Sequence, residues 1–227
     1  MDVATGDLKR WLSESRMEVS CITTGRMFAE DHLYFTHSDP DIRKKAVSAY
    51  QQLIDKASDY CELINIGRVR GGVEEGQSEE EAEKHFSDAF QQLCSYAERK
   101  KIQVLIEPVN RYEINFINNL DQGAAFLSRS GYSNGGLHAD VFHMNIEDDR
   151  IGESLIRNRK WLKYVHIADS NRLAPGFGHL DFEEIFGALK AADYNGWISM
   201  EILPGNDPDM AVKKAIEYVL PWCVPVN

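Results

Sequence analysis

Cysteine is scarce and unpatterned in this chain: Cys21, Cys61, Cys94 and Cys223 lie far apart, with no CxxC pair and no dense framework. Such spacing argues against a disulfide scaffold and fits scattered buried thiols in a reducing cytosol. Long apolar runs are missing too. No stretch approaches about 18 apolar residues, and the opening MDVATGDLKR has no apolar signal core, so the expectation is a cytoplasmic protein with no membrane partner. Positive charge is in deficit, with 25 Lys and Arg against 36 Asp and Glu and a formal net charge of −11. That balance works against a nucleic-acid partner, where a basic surface supplies most of the affinity. It leaves a small anionic substrate open, because a few local cations decide that case. Neither GxxxxGK[ST] nor GxGxxG after a strand occurs, which argues against a nucleotide-binding sheet. No linker or low-complexity tract interrupts the chain.

What is present is a regular alternation. β-rich runs occur at residues 17–23, 61–66, 102–107, 136–141, 163–168 and 197–202. Between them, apolar residues recur at helical spacing: Ile42, Ala46, Tyr50, Leu53 and Ala57; Phe86, Ala89, Leu93 and Ala97; Phe182, Ile185, Phe186 and Leu189. Helix starts are marked by Asp39-Pro40 and Asp207-Pro208, by Ser78 with Glu81 as a capping box, and by Asp181 with Glu184, which resembles one. Strands alternating with helices predict parallel β/α units. At 227 residues, with 43% hydrophobic and 27% charged residues, the chain suits one soluble domain of barrel type.

The chemistry-bearing residues follow that repeat. Glu107, Asp140, His166 and Glu201 each fall at or near the C-terminal end of an expected strand, separated by 33, 26 and 35 residues, about one β/α unit apiece. In a parallel barrel those ends open on one face, so side chains from neighbouring strands converge there. Taken singly, each residue has an ordinary reading. Glu107 in VLIEPVNRYE could be capping or ion-paired, and Glu201 ends the otherwise apolar WISMEI. In GLHADVFHMNIED the ordinary reading of a lone histidine is a buried, satisfied residue, and His138 is open to that reading. Taken together, three carboxylates and an imidazole in one pocket repel one another unless a cation sits among them. Oxygen-rich ligation with one nitrogen suits Mn²⁺, Mg²⁺ or Co²⁺ better than a structural zinc. Arg172, in YVHIADSNR, is a cation that could grip a substrate oxygen.

The segments IEPVNRYE, DVFHMNIE, HIADSNR with PGFGH, and ISMEI resemble the metal-binding strands of the xylose-isomerase-like barrel superfamily, and among its members the ketose 3-epimerases of the D-tagatose and D-psicose type. The likeness runs over roughly residues 8 to 222. It implies a divalent metal, Mn²⁺ first, on Glu107, Asp140, His166 and Glu201. It also implies proton transfer by Glu107 and Glu201, and contacts from Glu113, His143 and Arg172 to the oxygens of a sugar substrate. The implied reaction is epimerisation beside a ketose carbonyl through an enediolate. The alternatives are an aldose–ketose or hydroxypyruvate-type isomerase, a dehydratase of cyclic polyols, or a metal-binding remnant acting by association. The endonuclease IV branch is disfavoured by seven histidines and the acidic balance.

One departure stands out. Such barrels place a strand, a helix and a second strand ahead of DLKRWLSES, so six strands are expected here where closure takes eight. The expectation is an α/β fold of (β/α)₈ TIM type lacking its first two strands, one domain over residues 1–227 that is N-terminally incomplete. The edge at residues 17–23 would then border a gap, favouring a homo-oligomer.

Overall fold

The computed structural model describes residues 5–205 and 207–223; the first four residues of the opening segment lie outside the described set. Five parallel strands form one sheet in sequential order: β1 (Leu63–Ile66), β2 (Gln103–Ile106), β3 (Gly135–Asp140), β4 (Leu162–Ile167) and β5 (Trp197–Met200). Each step is a parallel crossover through helix, which builds the curved wall of a TIM-type barrel with an incomplete strand count.

The sixth expected strand, at residues 17–23, is corrected to a single parallel bridge, Ile22 with Ile64. Ile22 donates its N–H to Leu63 and accepts from Asn65. The chain then enters α2 (Gly25–Ala29), so no second rung forms. Among the described residues no strand pairs with the outer edge of β5, and Trp197 there is half exposed.

The helices begin where local chemistry says they should. α1 (Thr5–Ser15) contains the DLKRWLSES segment. In α3 (Pro40–Ala57), Asp39 caps the N-terminus by accepting from Asp41 N–H, with Pro40 in the first turn. In α4 (Glu79–Glu98), Ser78 and Glu81 form both halves of the capping box. Asp181 caps α8 (Phe182–Ala191), and Asp207 accepts from Met210 N–H at the start of α9 (Pro208–Cys223). α5 (Leu120–Ser130) is capped by Asn119 and stopped by Gly131 at φ 75°, a left-handed turn that glycine takes without a Cβ clash. The apolar faces of these helices, Tyr50, Phe86, Leu93 and Phe182 among them, pack on the outside of the sheet in one continuous core.

Two shorter helices follow β3: α6 (Val141–Glu147) and α7 (Ile151–Arg157). Asp148 ends α6, accepting from the Ser154 hydroxyl on one oxygen while the other is buried without a partner. Burial raises its carboxyl to about 6. A folded-state pKa above the unfolded one means that folding favours the protonated acid. Stability on this account is therefore full at low pH and is lost as pH rises from about 4 through 6. Asp148→Asn, neutral at every pH, should raise thermal stability at pH 8 by about 1–2 kcal/mol and change little at pH 4. Thermal melts at the two pH values check it; an equal gain at both would assign the effect to packing.

The concave face of the sheet decides the rest. Side chains alternate along a strand, so residues two apart share a face. Leu63, Leu105 and Tyr164 form a small inner apolar layer with Cys21 packed against it. Two residues further on, toward the strand ends, the same face carries Asn65, Glu107 and His166. His138 and Asp140 follow from β3, in register with Tyr164 and His166.

Candidate metal centre

Glu107 lies one residue past β2, and its N–H donates to Ile66 of β1. Asp140 ends β3 and caps α6 by accepting from Phe142 N–H at 2.9 Å. His166 sits in β4, the lateral neighbour of Asp140. Glu201 follows β5, donating its N–H to Ile167. One ligand atom from each of the four lies within 4.8 Å of the others. The expected convergence of four successive strand ends is therefore present. His166 Nδ1 is the hub, at 3.0 Å from Glu201 Oε2, 3.7 Å from Asp140 Oδ2 and 3.9 Å from Glu107 Oε1. Glu107, Asp140 and His166 are buried, whereas the Glu201 side chain is half exposed at the mouth.

The electrostatics follow from crowding. Burial, then the neighbouring Asp140 charge, raises the Glu107 carboxyl to about 7. Burial would also raise Asp140, but His166, His143 and Arg172 outweigh it and hold that carboxyl well below the usual range. Burial disfavours a charged His166, yet Asp140, Glu201 and Glu107 around it raise its pKa to about 9. Three acidic groups and one imidazole around a common centre fit a hard divalent cation, since oxygen donors dominate.

Arg172 Nη1 donates to Asp140 Oδ2 at 2.8 Å and its Nη2 donates to Glu201 Oε2, while the guanidinium stacks on Phe142 at 4.5 Å. Its backbone is left-handed (φ 63°), which costs a non-glycine residue roughly 1–2 kcal/mol. Asp169, buried beside it in sequence, supports that turn. Its carboxylate accepts from the N–H groups of Ser170, Gly176 and Leu180, and its own carbonyl accepts from Arg172 N–H. His143 is buried in α6, where its Nδ1 lies 2.7 Å from Asn110 Nδ2 and its Nε2 4.0 Å from Asp140. Glu113 stands 3.8 Å from Arg68. All three residues expected at the substrate oxygens thus border one cleft with Glu107, His166 and Glu201, which Thr23, Thr24 and Arg68 also line.

Sequence reasoning missed the supports of Glu107. Asn65 Nδ2 donates to Glu107 Oε2 at 2.8 Å, fixing which oxygen faces the centre. A polar residue inside the apolar strand LINI is the same signal that singled out Glu201, and it was there to be used. A Cβ on Gly67 would lie 2.7 Å from that oxygen, so glycine makes the room. Arg70 is fully buried and bonds only to carbonyls: Phe116 (3.0 Å), Glu107 (2.8 Å), Ile117 (3.0 Å) and, more loosely, Gly67 (3.4 Å). It ties the end of β1 to the loop that carries Glu107, and nothing local in GRVRGG distinguishes it from a surface arginine. The expectation of a satisfied core histidine at 138 is corrected. His138 is completely buried, yet neither ring nitrogen has a hydrogen-bond partner.

A parallel TIM-type wall with acidic and imidazole ligands gathered at its strand ends defines a barrel protein with a candidate cation centre. The chain belongs to the xylose isomerase-like TIM barrel family, whose model matches residues 2–222. It is 36% identical to an L-ribulose 3-epimerase of Methylomonas sp. (strain DH-1) over 172 residues, 73% of this chain and 59% of that protein. It is 34% identical to a 3-dehydro-D-guloside 4-epimerase of Escherichia coli (strain K12) over 137 residues, 60% of this chain and 52% of that one. The solved D-allulose 3-epimerase from Methylomonas sp. superposes with a TM-score of 0.85 at 28% identity, covering 97% of this chain and 82% of that one. The chain thus spans between half and three-fifths of the length of these two curated relatives. Among the described residues no helix is long and apolar enough to cross a membrane.

Proposed function

We propose that this chain is a metal-dependent sugar epimerase that inverts the carbon beside a ketose carbonyl, acting as a ketose 3-epimerase. The observation that carries the reading is the pairing of Glu107 and Glu201, just past the ends of β2 and β5 and on either flank of His166, around one candidate cation position. Epimerisation needs a proton removed from one face of a carbon and another returned to the opposite face, and two separately placed carboxylates supply that. The names of the relatives, a 3-epimerase and a 4-epimerase of sugars, support the reaction class.

In this reading Glu107, Asp140, His166 and Glu201 hold a divalent cation, Mn²⁺ first and Mg²⁺ or Co²⁺ next. When bound it would supply Lewis-acid stabilisation of the negative charge that develops on the substrate oxygens, worth several kcal/mol. Glu107 takes the proton on one face. Asn65 orients it by holding Oε2, which leaves Oε1 toward the centre. Glu201, at the open mouth, returns a proton from the other face. Glu113, His143 and Arg172 position the sugar hydroxyls along the same cleft. A homo-oligomer would place a second copy over the outer edge of β5, which no strand among the described residues pairs with and where Trp197 is exposed.

The test is a panel of free and phosphorylated ketoses incubated with the Mn²⁺-loaded chain in D₂O and followed by NMR. The expected result is one ketose converted to its epimer with deuterium at the inverted carbon. An aldose product would move the chain to the aldose–ketose isomerases. Bound metal with no exchange on any sugar would overturn the enzymatic reading.

A further inference from the structure

The least explained group in the molecule is His138. It projects from β3 into the concave face two residues before Asp140, fully enclosed, with its ring edge-on to His166 (centroids 4.0 Å apart, 87°) and to Tyr164 (4.9 Å, 83°). Both ring nitrogens lack a hydrogen-bond partner. Leaving a buried polar group unpaired is costly, so a structure that keeps one inside a strand needs something to offset it. His138 Nδ1 stands 3.9 Å from Glu107 Oε1, and His166 Nδ1 stands 3.9 Å from that same oxygen. One ligand atom from each of Glu107, His138 and His166 lies within 4.8 Å of the other two.

We propose that Glu107, His138 and His166 form a second, overlapping cation position below the four-residue centre, and that this position takes nitrogen-preferring ions such as Zn²⁺ in preference to Mn²⁺. The proposal rests on the metal-centre reading above. The donor sets differ in kind: three oxygens and one nitrogen above, two nitrogens and one oxygen below. Hard ions favour the first set, and zinc accepts the second with three protein ligands and one exchangeable position. Tetrahedral bonds of about 2.0–2.1 Å place donor atoms roughly 3.3 Å apart, so small side-chain shifts close the present spacing. Because Glu107 and His166 belong to both groups, only one position is filled at a time. An ion on the lower position leaves Asp140 and Glu201 bonded to Arg172. The choice of ion therefore selects which carboxylates it engages. His138 is a selector between ions, with no part in the proton transfers.

The experiment titrates the ion-free 227-residue chain with Zn²⁺ and, separately, Mn²⁺ by calorimetry at one pH, before and after His138→Gln. The expected result is a Zn²⁺ affinity lowered by about tenfold or more in the variant, with Mn²⁺ affinity held within about twofold. In the unaltered chain, Zn²⁺ should also displace bound Mn²⁺ one for one, releasing the free-ion Mn²⁺ paramagnetic signal. An equal loss for both ions would assign His138 to packing, and an unchanged Zn²⁺ affinity would remove it from the metal site; either overturns the proposal. Failure of the unaltered chain to bind Mn²⁺ would instead overturn the four-residue centre. Should the variant not fold, X-ray absorption at the zinc edge of the unaltered Zn²⁺-loaded chain decides the matter. Two imidazoles in the coordination shell are expected, and a single imidazole refutes the lower position.

Discussion

Glu107→Gln should lower the proposed epimerisation turnover by about 10²- to 10⁴-fold at saturating Mn²⁺, while the fold is kept. The substitution is nearly isosteric. The amide oxygen can still accept from Asn65, and Arg70 bonds to the Glu107 main chain, which is unchanged. What disappears is the capacity to take up and release a proton. A neutral amide is also a poorer ligand, so Mn²⁺ affinity should weaken, and turnover has to be compared at cation levels that saturate both proteins. Glu201→Gln acts in the same direction from the opposite side. The two can be told apart by running each epimer as substrate in D₂O. The variant lacking the carboxylate that removes the proton should stop solvent exchange in that direction, as well as product formation. A full rate after either substitution would refute the assignment of the two glutamates as the proton carriers.

The second large effect concerns the cation. Dialysis against a chelator should reduce turnover to the limit of detection, and Mn²⁺ should restore it. Thermal stability should move with it. A ligand bound only to the folded state stabilises it by about 2.7 kcal/mol at one hundred times its dissociation constant. The physical reason is local: Glu107, Asp140 and Glu201 face one another around His166, and a divalent charge relieves their repulsion more completely than an imidazolium does. Differential scanning calorimetry with and without Mn²⁺ reads the shift. Unimpaired turnover in excess chelator would dismiss the metal-centre reading, whatever the glutamate variants show.

Several features were legible along the chain because they depend on neighbours in sequence. Asp39-Pro40 and Ser78 with Glu81 mark helix starts through hydrogen bonds made within one turn. The four ligand candidates were legible through their period. A carboxylate or imidazole ending an apolar run is conspicuous, and the β/α repeat says that such ends meet. The strand at residues 17–23 was misjudged for the opposite reason. Its apolar alternation is suitable, but pairing needs a companion in register over several residues, and only Ile22 finds one.

Composition, period and capping chemistry fixed the parallel α/β class, the order of the elements and the four residues at the strand ends, because each is encoded over a few residues or by a simple repeat. Tertiary structure alone decided the rest. Arg70 on the carbonyls of Glu107, Phe116 and Ile117, Asn65 on Glu107, and His138 left without a partner are all contacts across 37 or more residues, or the want of one. An arginine reads the same in sequence on a surface or beneath an active site. Only burial, which removes water as the competing partner, turns those side chains into the ones that aim a carboxylate.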